Sequence, residues 1–127
     1  MLKPGAVRIV PGGAHLRLEA GGVLRLDAKT PARRGHRPAA DELFASCARS
    51  CSREAVGVLM TGMGIDGVEG LSPCAAAGVS PWCRTRPSSV VFGMPQGGPR
   101  RGVRPSWPCR HASWRWRWPV WWSGGGR

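Results

Sequence analysis

No acidic residue follows Glu69 in this 127-residue chain. Lysine and arginine number 19 against 7 aspartates and glutamates, a net charge of +12, and that excess is local. Residues 1–71 carry ten basic and seven acidic residues, whereas residues 72–127 carry nine arginines and all seven tryptophans, Trp82 to Trp122. A uniformly basic chain suggests a nucleic-acid or anionic-surface binder; here the charge belongs to one half, and the halves need separate explanations. Also missing is any disulfide or zinc framework. Cys47, Cys51, Cys74, Cys83 and Cys109 include no CxxC and no paired histidine spacing, so they read as ordinary thiols. The start, MLKPGAVRIV, lacks the apolar core of a signal peptide. No apolar run approaches the ~18 residues of a membrane span. A soluble, reducing, cytoplasmic setting is the expectation, and the length allows one domain.

What is present in residues 1–71 patterns well. VRIV (7–10) predicts a short strand closed by Pro11-Gly12-Gly13. HLRLEA (15–20) and VLRLDA (23–28) alternate apolar and polar residues across Gly21-Gly22, which predicts a β-hairpin. Leu16, Leu18, Leu24 and Leu26 form its expected inner face, with Arg17, Glu19, Arg25 and Asp27 toward water. KTPARRGHRP (29–38) is loop, and Pro38 suits the first turn of a helix running to Ser50, with Asp41 and Glu42 near its N-terminus. Leu43, Phe44 and Cys47 give that helix one buried stripe. AVGVLM (55–60) has the unbroken apolar look of a strand covered on both faces, as in a parallel sheet. Strand, helix, strand and glycine-rich turn make an α/β module: part of a doubly wound, mostly parallel sheet with a β-hairpin.

The turn itself, Thr61-Gly62-Met63-Gly64, delivers a single carboxylate, Asp66. Active sites of open α/β sheets gather at the carboxyl ends of strands. Gly62 and Gly64 permit close approach of a ligand and can aim backbone N–H groups at a developing oxyanion. Asp66 can hold an imidazole in its useful tautomer, or it can simply cap the helix that begins near Gly67. His15 and His111 suggest no function.

The segments LKPGAVRIVPGGAHLRL, GHRPAADELF, AVGVLMTGMGIDGVEGL and SSVVFGMP, in this order and spacing, resemble the chemotaxis protein-glutamate methylesterases, the catalytic domain of CheB-type proteins. The resemblance covers residues 1–71 and 88–95. It implies a Ser-His-Asp triad that hydrolyses glutamyl methyl esters on chemoreceptors without metal or cofactor. In this sequence it assigns Asp66 as the triad acid and Met63 as an oxyanion-hole donor through its backbone N–H. The family's nucleophilic serine and triad histidine lie upstream of the segment where this chain starts. No GxSxG elbow replaces them, and Ser46, Ser50 and Ser52 lie on or beside a helix without a base. His36 matches the histidine of the family's RHRP-type loop, with Gly35 before it and Ala39 after Pro38 as departures; it is either a substrate-side residue or a plain loop histidine. The chain as written is therefore expected to lack esterase activity.

Residues 1–95 accordingly read as the C-terminal portion of such a domain, interrupted at 72–87, and 96–127 as an Arg/Trp/Pro-rich tail expected to be disordered. Tryptophan has a single codon, so PWCRTRP back-translates usefully: a neighbouring frame can give MVQDEA, the family pattern there. WRWRWPVWW can likewise give the apolar ALALAGLV. Both segments read as out-of-frame translation of a GC-rich gene, whose prolines oppose regular structure. The rival reading takes RHASWRWRWPVWW at face value, as a binder of single-stranded nucleic acid or an anionic membrane surface. The gene sequence separates the two: in-frame GC-rich codons that restore both patterns support the shift, and codons that cannot restore them end it.

Overall fold

The computed structural model describes residue 3, residues 5–50 and 55–97, and the backbone of 104–105. Its elements run β1 (His15–Glu19), β2 (Val23–Asp27), α1 (Ala40–Ser50), β3 (Val56–Leu59), α2 (Val68–Ala76), β4 (Ser80–Cys83), α3 (Gly93–Gly97) and β5 (Arg104–Pro105). β1 and β2 form an antiparallel hairpin, while β3, β4 and β5 form a parallel sheet in that order. The expected α/β class with a parallel sheet and a hairpin is present. The apolar core lies between sheet and helices, where Leu59, Val68, Leu71 and Cys83 meet Phe44 and Met94.

The hairpin forms in the expected register, with Leu16 opposite Leu26 and Leu18 opposite Leu24, across a 3-10 turn at Ala20–Gly22. Its inner face is narrower than alternation alone suggests. Leu18 is buried and Leu16 and Leu24 are half-buried, but Leu26 is 53% exposed. The reason is that α1 closes the edge of β1 instead of covering the whole hairpin. Ser46 Oγ accepts the Leu18 N–H at 2.8 Å, and Ser50 Oγ donates to the Leu18 carbonyl at 2.8 Å. Two serines one helical turn apart thus satisfy an edge strand's free backbone groups. Arg17 and Asp27, expected to face water, are partly covered. Arg17 pairs with Asp27 at 3.3 Å and with Glu42 of α1 at 3.1 Å. The Thr30 hydroxyl and the amides of Thr30 and Lys29 hold the Asp27 carboxyl down at about 2.

Four further expectations are corrected. VRIV makes no strand: among the described residues it finds no partner, and Val7 and Ile9 are 85% and 90% exposed. α1 begins at Ala40, so Pro38 precedes its first turn, and its fully buried residues are Asp41 and Ser46, while Leu43, Phe44 and Cys47 are half-buried. β3 is covered on one face only, since Gly57 and Leu59 are buried but Val56 and Val58 are exposed. Residues 72–87 are not irregular, because they complete α2 and form β4. Pro73 sits inside α2. Pro81 fits β4 because Ser80 and Arg84 donate to the β3 carbonyls of Ala55 and Leu59. Strand alternation then turns the proline nitrogen to the other edge, ahead of the first β5 pairing at Trp82. SSVVFGMP (88–95) follows a 3-10 turn at Arg86–Ser88, makes a single Gly62–Phe92 bridge and leads into α3. Cys47 is half-buried and Cys74 and Cys83 are buried, and burial raises the Cys83 thiol above its ordinary value. The tail beyond residue 97, apart from the backbone of β5, lies outside the described residues, and with it the expectation of disorder.

The two helices cross closely at Gly70, where a Cβ would lie 2.8 Å from both the Asp41 carbonyl oxygen and the Phe44 Cβ. Helix propensity alone favours alanine there by about 1 kcal/mol. Overpacking opposes it by roughly 1–3 kcal/mol. Gly70→Ala is expected to destabilise the chain in urea melts; a stabilised variant would show that the helices are not this close.

Candidate functional site

The carboxyl end of β3 runs into Thr61-Gly62-Met63-Gly64, and a second segment fastens that turn. Thr61 Oγ1 donates to the Val91 carbonyl and accepts the Val91 N–H, both at 2.8 Å. Gly62 N–H donates to Val91 O, and Met94 N–H donates to Gly62 O, each at 3.0 Å. A Cβ on Gly93 would lie 2.9 Å from Gly62 O and 3.2 Å from Met63 Cα, so the two segments touch at the backbone. Gly64 holds φ +112°, a left-handed conformation that side chains disfavour. The Met63 side chain is 89% exposed, and its N–H has no hydrogen-bond partner among the described residues. The Gly62 N–H, by contrast, is committed to Val91.

Asp66 follows this turn and reaches back to α1. Its Oδ2 accepts the Ala40 N–H at 2.7 Å and its Oδ1 the Asp41 N–H at 3.1 Å. The helix it caps is therefore the preceding one, not the one beginning near Gly67; α2 has Gly67 as its N-cap residue and no side-chain cap there. Asp41 returns the interaction, its Oδ1 accepting the Gly70 N–H in the first turn of α2 at 2.7 Å. The neighbouring amide, Ala39 N–H, donates to Nδ1 of His15 at 3.2 Å, and the Nε2 of that wholly buried ring lies 3.0 Å from Pro31 O. With Nε2–H as the donor, His15 is the neutral tautomer, a structural role that its sequence context does not signal.

Beside Asp66 opens a cleft of about 240 Å³ lined by Arg33, Arg34, His36, Asp41, Gly64, Ile65 and Asp66. The structure thus brings Asp66, Gly64 and His36 together, whereas Gly62 and Met63 lie outside the lining. His36 is exposed, and its backbone pairs with Arg33 in both directions, 2.9 and 3.0 Å. Arg33 is the residue that sequence reasoning missed. Its guanidinium lies 3.0 Å from Glu42, 3.6 Å from Glu69 and 3.7 Å from the buried Asp41 Oδ2, which has no hydrogen bond of its own. The Glu42 hydrogen bond, with the Asp41 and Glu69 charges, holds Arg33 still more firmly protonated. Arg34, at φ +50°, pairs with Glu69 at 2.7 Å. In the sequence these are two arginines of a basic loop, and nothing in their spacing says that three carboxylates from two helices converge on one of them.

Among the described residues no serine lines the cleft, and the Ser46 and Ser50 hydroxyls bond to Leu18 of β1, that of Ser46 also to Leu43 O. Among the described residues no cluster of three or more His, Cys, Asp or Glu could hold a metal, and no helix is long and apolar enough to cross a membrane. His111 and the Arg/Trp stretch proposed to bind nucleic acid or membranes lie outside the described residues.

Removing the Asp66 carboxylate strands two helix-terminal amides, and loss of such a cap costs roughly 0.5–2 kcal/mol. Asp66→Ala is expected to lose that stability in denaturant melts and to speed hydrogen exchange at Ala40 and Asp41, with Asp66→Asn intermediate. Unchanged exchange at both amides would contradict the capping geometry.

Comparison with known proteins agrees with the resemblance and extends it. The family model described as CheB methylesterase matches residues 1–107, a span that runs through 72–87. The protein-glutamate methylesterase/protein-glutamine glutaminase of Gluconobacter oxydans is 44% identical over 109 residues, 81% of this chain and 31% of its own length. The protein-glutamate methylesterase FrzG of Myxococcus xanthus is 43% identical over 96 residues, 76% of this chain and 28% of its own. The chain thus spans less than a third of these curated relatives. The crystal structure of the Thermotoga maritima CheB methylesterase catalytic domain superposes with a TM-score of 0.74 at 34% identity, covering 82% of this chain and 58% of that one. Sequence match and fold together place the chain in the CheB methylesterase family.

Proposed function

We propose that this chain supplies the acid and the oxyanion turn of a serine-dependent protein-glutamate methylesterase acting on methyl-accepting chemoreceptors. The observation that carries the reading is Asp66, fixed by two amides at the carboxyl end of β3 and opening on the cleft. An ionised carboxylate has about four acceptor positions. Two amide bonds therefore orient it and leave capacity for an imidazole N–H. A histidine so held takes the proton of a serine hydroxyl as that oxygen attacks the ester carbonyl, then returns it to the departing methanol. Water repeats the sequence on the acyl-enzyme and frees the glutamate. The Met63 N–H, without a partner among the described residues, is available to the tetrahedral oxyanion. His36, at the exposed rim beside Arg34, suits contact with the substrate polypeptide rather than the proton relay. No step of this route requires a metal or a cofactor.

In this reading the serine and the triad imidazole come from outside these residues. Loss of a triad's nucleophile lowers the rate by several orders of magnitude. The purified 127-residue chain is expected to release no methanol from methylated receptor signalling domains above the uncatalysed background. Turnover by this chain that disappears in Asp66→Ala would overturn that division of labour.

A further inference from the structure

Among the described residues, Arg34 is the one non-glycine residue at a positive φ, +50°. Gly35 follows at +83°, and the backbones of Arg33 and His36 bond to each other in both directions. Two central residues with positive φ are the mark of a type I′ turn, which favours asparagine, aspartate or glycine where Arg34 stands. An arginine in that position is kept against local preference, and such residues gather at ligand-binding sites. This one lies at the lip of the cleft that Asp66, Gly64 and Ile65 also line. Its side chain is 46% exposed and holds Glu69 Oε1 of α2 at 2.7 Å. The other Glu69 oxygen lies 3.6 Å from Arg33. If Arg34 turns away, Glu69 therefore keeps a cation beside it. A partly exposed ion pair contributes little, so the exchange is cheap.

We propose that Arg34 is a specificity-determining residue, one that trades Glu69 for an acidic side chain of the substrate polypeptide. That acid flanks the glutamyl ester entering the cleft, and Glu69 occupies its place until substrate arrives. The inference rests on the methylesterase function proposed above and narrows its substrates to esters within acidic segments. Arginine suits the task because its planar fork grips a carboxylate through two parallel hydrogen bonds and stays charged throughout the working pH range. Arg33 is less suited, being bonded to Glu42 at 3.0 Å and placed between Asp41 and Glu69.

The test titrates the isotope-labelled full chain, at low salt, with synthetic peptides read by amide chemical shifts. Each peptide carries one glutamyl methyl ester, flanked either by glutamates or by glutamines. The glutamate-flanked peptide is expected to bind about tenfold tighter and to move the Arg34, Gly35 and Gly64 signals. Arg34→Gly, which suits the positive φ, should remove that preference without lowering the urea midpoint. Arg34→Lys should keep part of it, and Glu69→Gln, which removes the internal competitor, should strengthen it by up to about fivefold. Equal binding of the two peptides, or a preference that survives Arg34→Gly, would overturn the proposal. So would a preference lost equally in Arg25→Gln on the exposed hairpin face, which would report only the chain's net charge. Unesterified peptides separate this inference from the one beneath it. Shifts at Gly64 and Asp66 that require the ester but ignore the flanks overturn the role of Arg34 and leave the esterase reading standing. A flank preference that needs Arg34 but ignores the ester sustains the acidic contact and counts against the catalytic reading of Asp66.

Discussion

Two carboxylates, each near the start of one helix and closing the start of the other, organise this structure. Asp66, just before α2, caps α1; Asp41, in the first turn of α1, caps α2. Helix N-termini leave four amides unsatisfied and carry the positive end of the dipole, so a carboxylate there is favoured by charge and by hydrogen bonding together. Each cap contributes roughly 0.5–2 kcal/mol. Because each lies on the partner helix, neither is satisfied unless α1 and α2 are docked. His15 extends the arrangement to Ala39, so three consecutive amides at the entry to α1 are held from β1 and from the turn after β3.

The cleft is built on that docking. Its floor is the reciprocal cap, its glycine turn is tied to residues 91–94, and its basic wall is held by Arg33. A carboxylate that must orient an imidazole within a few tenths of an ångström needs such support, because positioning errors translate directly into lost rate. The same geometry is compatible with the proposed role of Asp66: the amides restrain the carboxylate without exhausting its acceptor capacity.

The acids of the first half form a connected set. Asp27 and Glu42 hold Arg17, Asp41, Glu42 and Glu69 surround Arg33, and Glu69 also takes Arg34. The exposed Glu19–Arg25 pair contributes little, as surface ion pairs do. The partly covered ones strap the hairpin and the basic loop onto both helices. Against this closed side, Val56, Val58 and Met60 on the other face of β3 are exposed.

The hairpin was legible because period-two alternation across Gly21-Gly22 is a local signal, and the extent of α1 was legible to within two residues. Four segments in order, the glycine turn with Asp66 among them, pointed to the family before any coordinates. What sequence could not supply was partnership. The spacing of Asp66 shows that it stands ahead of α2, but only the helix crossing at Gly70 brings α1 close enough to receive its oxygens. Leu26, Val56 and Val58 read as core from their pattern and are exposed, because burial depends on what lies across from a residue. Residues 72–87 show the converse. Pro73 and Pro81 read locally as breakers, yet the neighbouring strand and helix hold them in α2 and β4. The sequence by itself determined the hairpin, α1, β3 and the family. Tertiary structure alone decided which amides the carboxylates satisfy and which faces stay open, because those contacts join residues 25 or more positions apart.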